Sequence, residues 1–256
     1  MKITILGSGT SCGVPMIGCD CEVCTSANPK NKRLRSSAYV ETEKAKFLID
    51  CSADFRQQAL THQIRRIDAL FITHAHSDHV GGLDDLRIYN YLQDSPIKCY
   101  GSIPVLEELR KRYDYCFNPA QIGGGVPQIE LIPFEEPFEL AGIKITPLPV
   151  MHGRLPIQGY RFDDFTYISD ASFIPDETKE KIMGARILVI NALRHRPHST
   201  HFSLTEALEV SNEFQPEKTY FTHISHQLEH WTTNHYLPPD ARLAYDGMTI
   251  DMDEIR

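Results

Sequence analysis

The sequence has no apolar run long enough to cross a bilayer, and positive charge is not in excess. Its 256 residues carry 26 Lys and Arg against 34 Asp and Glu, a formal net charge of −8. That balance argues against broad electrostatic attachment to nucleic acid or to an anionic membrane. A local basic pocket for a small phosphate is still compatible with it. The apolar stretch of Met1–Leu6 stops at Gly7, too short for the core of a signal peptide, so the expected location is cytoplasmic. No internal repeat and no low-complexity linker divides the chain. With 41% apolar and 23% charged residues, the expectation is one soluble domain over residues 1–256 with one sizeable core. Seven cysteines is an odd number. Without a secretory signal, clustered cysteines point to metal rather than to a disulfide framework.

The pattern predicts many short strands with a few helices. Strands are expected at Lys2–Leu6, Ser37–Glu41, Lys46–Asp50, Ala69–Thr73, Ile129–Ile132, Phe138–Leu140, Ile143–Leu148, Gly159–Phe162, Phe165–Ser169, Ile187–Asn191 and Lys218–Thr222. Helical character is read at Ala53–Thr61, Asp84–Tyr91, Pro104–Tyr115 and Leu204–Glu213, the last capped by Ser203 with Glu206 three residues on. Gly123-Gly124-Gly125 reads as a flexible loop. Two packed sheets with helices outside, an α/β sandwich, fit this order.

His74-Ala75-His76-Ser77-Asp78-His79 sets four metal-capable side chains within six residues. Imidazole nitrogen and carboxylate oxygen suit zinc, and manganese or iron as well. On a strand-to-loop turn, alternate residues can face two neighbouring centres, and Gly81-Gly82 gives the backbone room to turn into a helix. One motif cannot fill two metal shells. His152, Asp170 and His223, each after a predicted strand, are the candidates for the rest, although a lone histidine in such a place is more often just hydrogen-bonded. Cys19-Asp20-Cys21-Glu22-Val23-Cys24 offers three thiolates to a tetrahedral zinc site. His226 is the candidate fourth ligand, within a zinc-binding loop region at about 12–35.

The ordered set His-x-His-x-Asp-His, His152, Asp170 and His223 resembles the metallo-β-lactamase superfamily over essentially the whole chain. The resemblance implies a four-layer αββα sandwich. It implies one metal at His74, His76 and His152, a second at Asp78, His79 and His223, and Asp170 bridging the two. The cysteine cluster with Thr222-His223-Ile224-Ser225-His226 resembles the phosphodiesterase branch that acts on a phosphoribosyl cyclic phosphate. That branch implies a structural zinc on Cys19, Cys21, Cys24 and His226, and two active-site ions, zinc or manganese. In that branch a histidine before a Ser/Thr-x-x-Glu-Ala helix start supplies the general acid. His201 matches best and His198 is the next choice. His201 and Asp78 are thus the catalytic candidates.

Asp50 is read either as an orienting partner of a metal-binding histidine or as a plain strand-end aspartate. Arg194 and Arg196 are candidate phosphate ligands or solvated arginines, and His195 has no assigned role. His62, His230 and His235 are expected at the surface. Cys12, Cys51, Cys99 and Cys116 are expected to be ordinary buried or partly buried thiols. The expected partner is a small phosphodiester, with nucleic acid disfavoured by the charge, no membrane, and a homodimer compatible with the resemblance. The competing readings are a tRNA 3′-end endonuclease, a thioester, ester or lactam hydrolase, and a non-catalytic metal-binding module. The tRNA reading lacks its basic arm and its His-Glu-Ala-Thr motif, where Ile190-Asn191-Ala192-Leu193 stands instead.

Overall fold

The computed structural model describes residues 1–118 and 125–254. Gly123 and Gly124 of the predicted loop lie outside the described residues. The strands are β1 (Lys2–Gly7), β2 (Ser37–Glu41), β3 (Lys46–Ile49), β4 (Ala69–Phe71), β5 (Ile97–Gly101), β6 (Ile129–Pro133), β7 (Phe138–Leu140), β8 (Ile143–His152), β9 (Leu155–Phe162), β10 (Phe165–Ile168), β11 (Ile187–Asn191), β12 (Lys218–Thr222), β13 (Ala241–Leu243) and β14 (Thr249–Asp251). They form two seven-stranded sheets, ordered β14-β1-β2-β3-β4-β5-β6 and β13-β12-β11-β10-β9-β8-β7. Both sheets are mixed. β3 to β6 run parallel in the first, and β10 to β13 run parallel in the second.

Alternation along the strands builds the layers. Phe47, Ile49, Ala69 and Phe71 meet Phe165, Tyr167, Ile187 and Val189 in the core between the sheets. Their neighbours Leu48, Leu70 and Ile72 point outward, under Phe55, Leu86, Tyr89 and Leu109 of the helices on the first sheet. Ile168, Leu188 and Ile190 face Ile182, Leu204, Ala207 and Phe214 on the second. Strands buried on both faces read as continuous apolar runs because each face has its own cover. Phe71 packs against the rings of Phe47, Tyr100, Tyr160 and Phe162 at 5.1–5.7 Å. The result is the expected four-layer sandwich.

β8 and β9 form one long hairpin from Ile143 to Phe162, where the sequence predicts two separate short strands. Pro147 and Pro149 both lie inside β8. β7 pairs with β8 only at Ile143–Ile145, so the sides of Pro147 and Pro149 that lack an N–H face no strand. His152 therefore ends a strand rather than following one. β5, β13, β14 and the helices Asp176–Ile182 and His230–Tyr236 were not predicted.

β14 pairs antiparallel with β1, Lys2 opposite Asp251, and the Met1 amino group lies 3.5 Å from Asp253. Among the described residues no helix is long and apolar enough to cross a membrane.

His230 is buried, 3% exposed, where a surface residue was expected. Burial lowers its pKa to about 4, helped by Lys30 and Arg33. The folded chain thus resists a proton that the unfolded chain accepts near the ordinary histidine value of about 6.5. Between those values the unfolded state binds more protons, so stability falls as pH drops through that window. Unfolding free energies from urea titrations should decline from pH 7.5 to pH 5, and His230→Gln should reduce that decline by on the order of 1–2 kcal/mol. An identical decline in the variant would remove His230 as its source.

Candidate metal centre

The C-terminal ends of β1, β3, β4, β8, β10 and β12 share one edge of the sandwich, the edge where ligands of open α/β sheets sit. Asp50 follows β3, the histidine motif follows β4, His152 ends β8, Asp170 follows β10 and His223 follows β12. Asp50, Asp170 and His223 have φ values of 59°, 60° and 54°. Three non-glycine residues in the left-handed region at one edge is strain concentrated at a functional site. Each such turn bends a strand end into the cleft between the sheets. Helix Ser77–Val80 starts inside the motif, one turn earlier than expected. Gly82 serves close approach and not a special φ: a Cβ there would meet Ser52 O at 2.2 Å.

The ligand atoms of His74, His76 and His152 lie within 4.8 Å of one another, and so do those of Asp78, His79, Asp170 and His223. Asp170 joins the two groups. Its carboxylate lies 2.9 Å from His223 Nδ1, 3.3 Å from His79 Nε2, 3.2 Å from His201 Nε2 and 3.8 Å from His74 Nε2. Burial pushes the Asp170 carboxyl up, but His223 and His79 outweigh it and hold it well below the ordinary range. Burial lowers the His74 pKa further than its carboxylate neighbours raise it.

His79 tests whether a cation fits. Its Nδ1 donates to Asp50 Oδ2 at 2.7 Å, and Asp50 also accepts from Thr73 N at 2.9 Å. His79 Nε2 is buried without a hydrogen-bond partner, although Asp78 Oδ2 and Asp170 Oδ1 both lie 3.3 Å away. With the proton on Nδ1, three lone pairs face one another. Burial opposes a second proton on the ring, yet Asp170 and Asp50 raise its pKa well above the ordinary value. A divalent ion would answer the same need, and the nitrogen-and-oxygen donor set suits zinc or manganese.

His201 is held by backbone. Phe202 N donates to Ala171 O at 2.7 Å and Leu193 N donates to Phe202 O at 2.9 Å. The helix that follows begins with a reciprocal cap, Ser203 Oγ accepting from Glu206 N and Glu206 Oε2 accepting from Ser203 N. His201 Nδ1 lies 2.9 Å from Thr200 Oγ1 and 3.2 Å from His198 Nδ1, which leaves Nε2 toward the cleft. Burial lowers the His201 pKa, with Asp170 opposing. Arg194 is spent on its own loop, donating to Arg196 O and Pro197 O. His195 and Arg196 are exposed.

Cys19, Cys21 and Cys24 Sγ lie 3.2, 3.3 and 3.6 Å from His226 Nδ1. The edges of a tetrahedral zinc site with these ligand types would be roughly 3.6 Å, so the four donors fit a metal. The backbone N–H of Cys24 brings the Cys21 thiol down to about 6, whereas burial lifts Cys24 to about 11. Cys51 and Cys99 are buried and Cys116 is partly buried, but Cys12 is exposed. His62 is partly buried and His235 is exposed.

No local pattern points to the hydroxyls that hold His223: Thr10 Oγ1 lies 3.1 Å from its Nε2 and Ser36 Oγ 3.3 Å from its Nδ1. Arg112 Nη1, which donates to Ala75 O at 2.5 Å, was missed too. The cavity of about 360 Å³ among Lys2, Lys46, His62 and Arg65 contains none of these residues. It opens at the far rim of the first sheet.

A solved structure described as a new diphosphatase from the PhnP family is 41% identical, with a TM-score of 0.92 over 98% of this chain and 97% of that one. The octanoyltransferase of Porphyromonas gingivalis is 39% identical over 261 residues, 99% of this chain and 52% of that protein. The ribonuclease Z of a Picosynechococcus species is 32% identical over 165 residues, 63% of this chain and 46% of that protein. The chain thus spans about half the length of these two curated relatives. Residues 45–224 match the beta-lactamase superfamily domain, and the chain belongs to that superfamily, in its metallo-β-lactamase form.

Proposed function

We propose that the chain is a dinuclear metal-dependent phosphodiesterase acting on a small phosphodiester, most specifically a cyclic phosphate of a sugar. The observation that carries this reading is the convergence on Asp170 of His79 and His223 from one group, His74 from the other, and His201. In this reading His74, His76 and His152 hold one ion, Asp78, His79 and His223 hold the other, and Asp170 belongs to both. When bound, such ions supply Lewis acidity to a phosphoryl oxygen and an activated water near neutral pH. Asp50 fixes the His79 ring through Nδ1. His201 carries at Nε2 the proton that an alkoxide leaving group needs. Cys19, Cys21, Cys24 and His226 hold a structural zinc.

The 41% identity to a PhnP-family diphosphatase supports phosphoryl chemistry and adds the phosphoanhydride to the substrates worth testing. The likeness to a ribonuclease Z favours a second reading, cleavage of a tRNA precursor, against which the net charge of −8 counts. Octanoyl transfer is named for a polypeptide about twice as long and is not carried over to this chain.

The test sets a ribose 1,2-cyclic phosphate beside an aryl phosphodiester, a dinucleotide pyrophosphate and a tRNA precursor, with manganese- and zinc-loaded protein. Preferential turnover of the cyclic phosphate is expected. Cleavage of the pyrophosphate alone would replace the diester with an anhydride. Cleavage of the tRNA alone would establish the second reading.

A further inference from the structure

Arg33 is 1% exposed and is the largest of the fully buried side chains. A guanidinium is costly to bury unless its donors are met; here both Nη groups are engaged, chiefly by one short stretch of backbone, while Nε is buried without a hydrogen-bond partner. Nη1 donates to Ser225 O at 2.9 Å. Nη2 donates to Leu228 O at 2.8 Å and to Asn31 Oδ1 at 3.2 Å. Its own main chain pairs with Val14, N to O at 2.7 Å and O to N at 2.9 Å. Val14 packs with Val23 and Cys24 beneath the cysteine loop.

One residue therefore grips the cysteine loop through its backbone and the Ser225–Leu228 turn through its side chain. His226 lies between the two gripped carbonyls, and His223 is two residues before the first. The same region ties down His223 from the other side. Gly9 pairs with both Arg35 and Ile224, and a Cβ on Gly9 would meet Arg33 O at 2.8 Å. Asn31 extends the clamp. Its Oδ1 accepts from His230 N at 2.9 Å and its Nδ2 donates to Glu229 Oε1 at 2.6 Å. Asp246 and Glu229 balance the Arg33 charge.

We propose that Arg33 is a positioning residue that holds the Cys19–Cys21–Cys24–His226 group and His223 in mutual register. Metal at the cysteine group then raises affinity at the His223 group, and the coupling is reciprocal. The turn has two carbonyls whose direction depends on one guanidinium, so losing it frees both histidines together. The proposal rests on the reading that both groups hold metal. It does not depend on the phosphodiesterase reading.

The test uses the full chain, stripped of metal and titrated with Co²⁺ against a competing chelator. Thiolate-to-cobalt charge-transfer absorption reports the cysteine group, and elemental analysis reports total metal. Arg33→Met should weaken the thiolate site by roughly 10- to 100-fold and lower the affinity of the second group in the same protein. Arg33→Lys, which reaches only one carbonyl, should fall between. Leu109→Ala, a core variant in the helical layer outside the first sheet, controls for general destabilisation and should leave both affinities unchanged. Cys24→Ser should weaken the second group in the wild-type background and add nothing in the Arg33→Met background. If Arg33→Met does not fold, Asn31→Ala should shift the same readouts in the same direction by less. Unchanged cobalt affinities in the arginine or asparagine variants would overturn the proposal. A wild-type chain without the thiolate–cobalt band would overturn the metal reading itself, and Arg33's role with it.

Discussion

Asp170→Asn is expected to lower kcat/KM on the best phosphodiester by about a thousandfold or more, roughly 4 kcal/mol of transition-state stabilisation. Asparagine keeps the size of the side chain. It also tolerates the left-handed backbone that Asp170 adopts at φ 60°. The substitution thus removes charge with little added strain. The carboxylate lies within 2.9–3.8 Å of four imidazoles, so one substitution touches both groups of ligands. Metal analysis should show loss of metal from the histidine–aspartate groups, and the reciprocal coupling should weaken metal binding at the cysteine group by less. Metal-free protein adds an independent readout. Asp170 is the first of the groups that raise the His79 pKa, so the His79 ring should lose its proton at lower pH in the variant by NMR. Full turnover with two ions bound would remove Asp170 from the centre.

His201→Ala should separate substrates by their leaving groups. On a cyclic sugar phosphate, where an alkoxide departs, kcat should fall by about 10²–10⁴. On a nitrophenyl diester the leaving phenolate needs no proton, and the loss should be less than about tenfold. His201 Nε2 lies 3.2 Å from Asp170 Oδ2, and its ligand atoms also fall within 4.8 Å of those of His152 and Asp170. The second fact allows a different role, as a metal ligand. Equal losses on both substrates together with a missing ion would establish that role and end the assignment as general acid. His198→Ala offers a contrast. It sits 3.2 Å from His201 through the two Nδ1 atoms, so it should change the pH dependence of the reaction more than its maximum.

The centre was legible in the sequence where chemistry demands close spacing. His74, His76, Asp78 and His79 stand within six residues, so a single short segment brings four metal-capable side chains to the cleft. His152, Asp170 and His223 became legible only through the resemblance, since a lone histidine or aspartate after a strand carries no local signal. The left-handed backbone at Asp50, Asp170 and His223 left no mark, because none of the three is glycine. Ser203 and Glu206 announced their helix correctly, as a capping pair is a local device. The full length of the β8–β9 hairpin was not legible, because what Pro147 and Pro149 are allowed is decided by β7, a strand that ends before reaching them. Arg33 and His230 were invisible for the same reason as each other. Their residue types usually lie at the surface, and only the long-range network around Asn31 buries them.

The pairing of β14 with β1 has a consequence for tethering. Both ends of the described chain reach the rim opposite the one that carries Asp50, Asp170 and His223, with Met1 beside Asp253. A second module fused at either end would hang from the back of the sandwich and leave the cleft open to substrate. A short linker could equally join the two ends into a circle. The mouth of the cleft therefore faces away from both ends of the described chain.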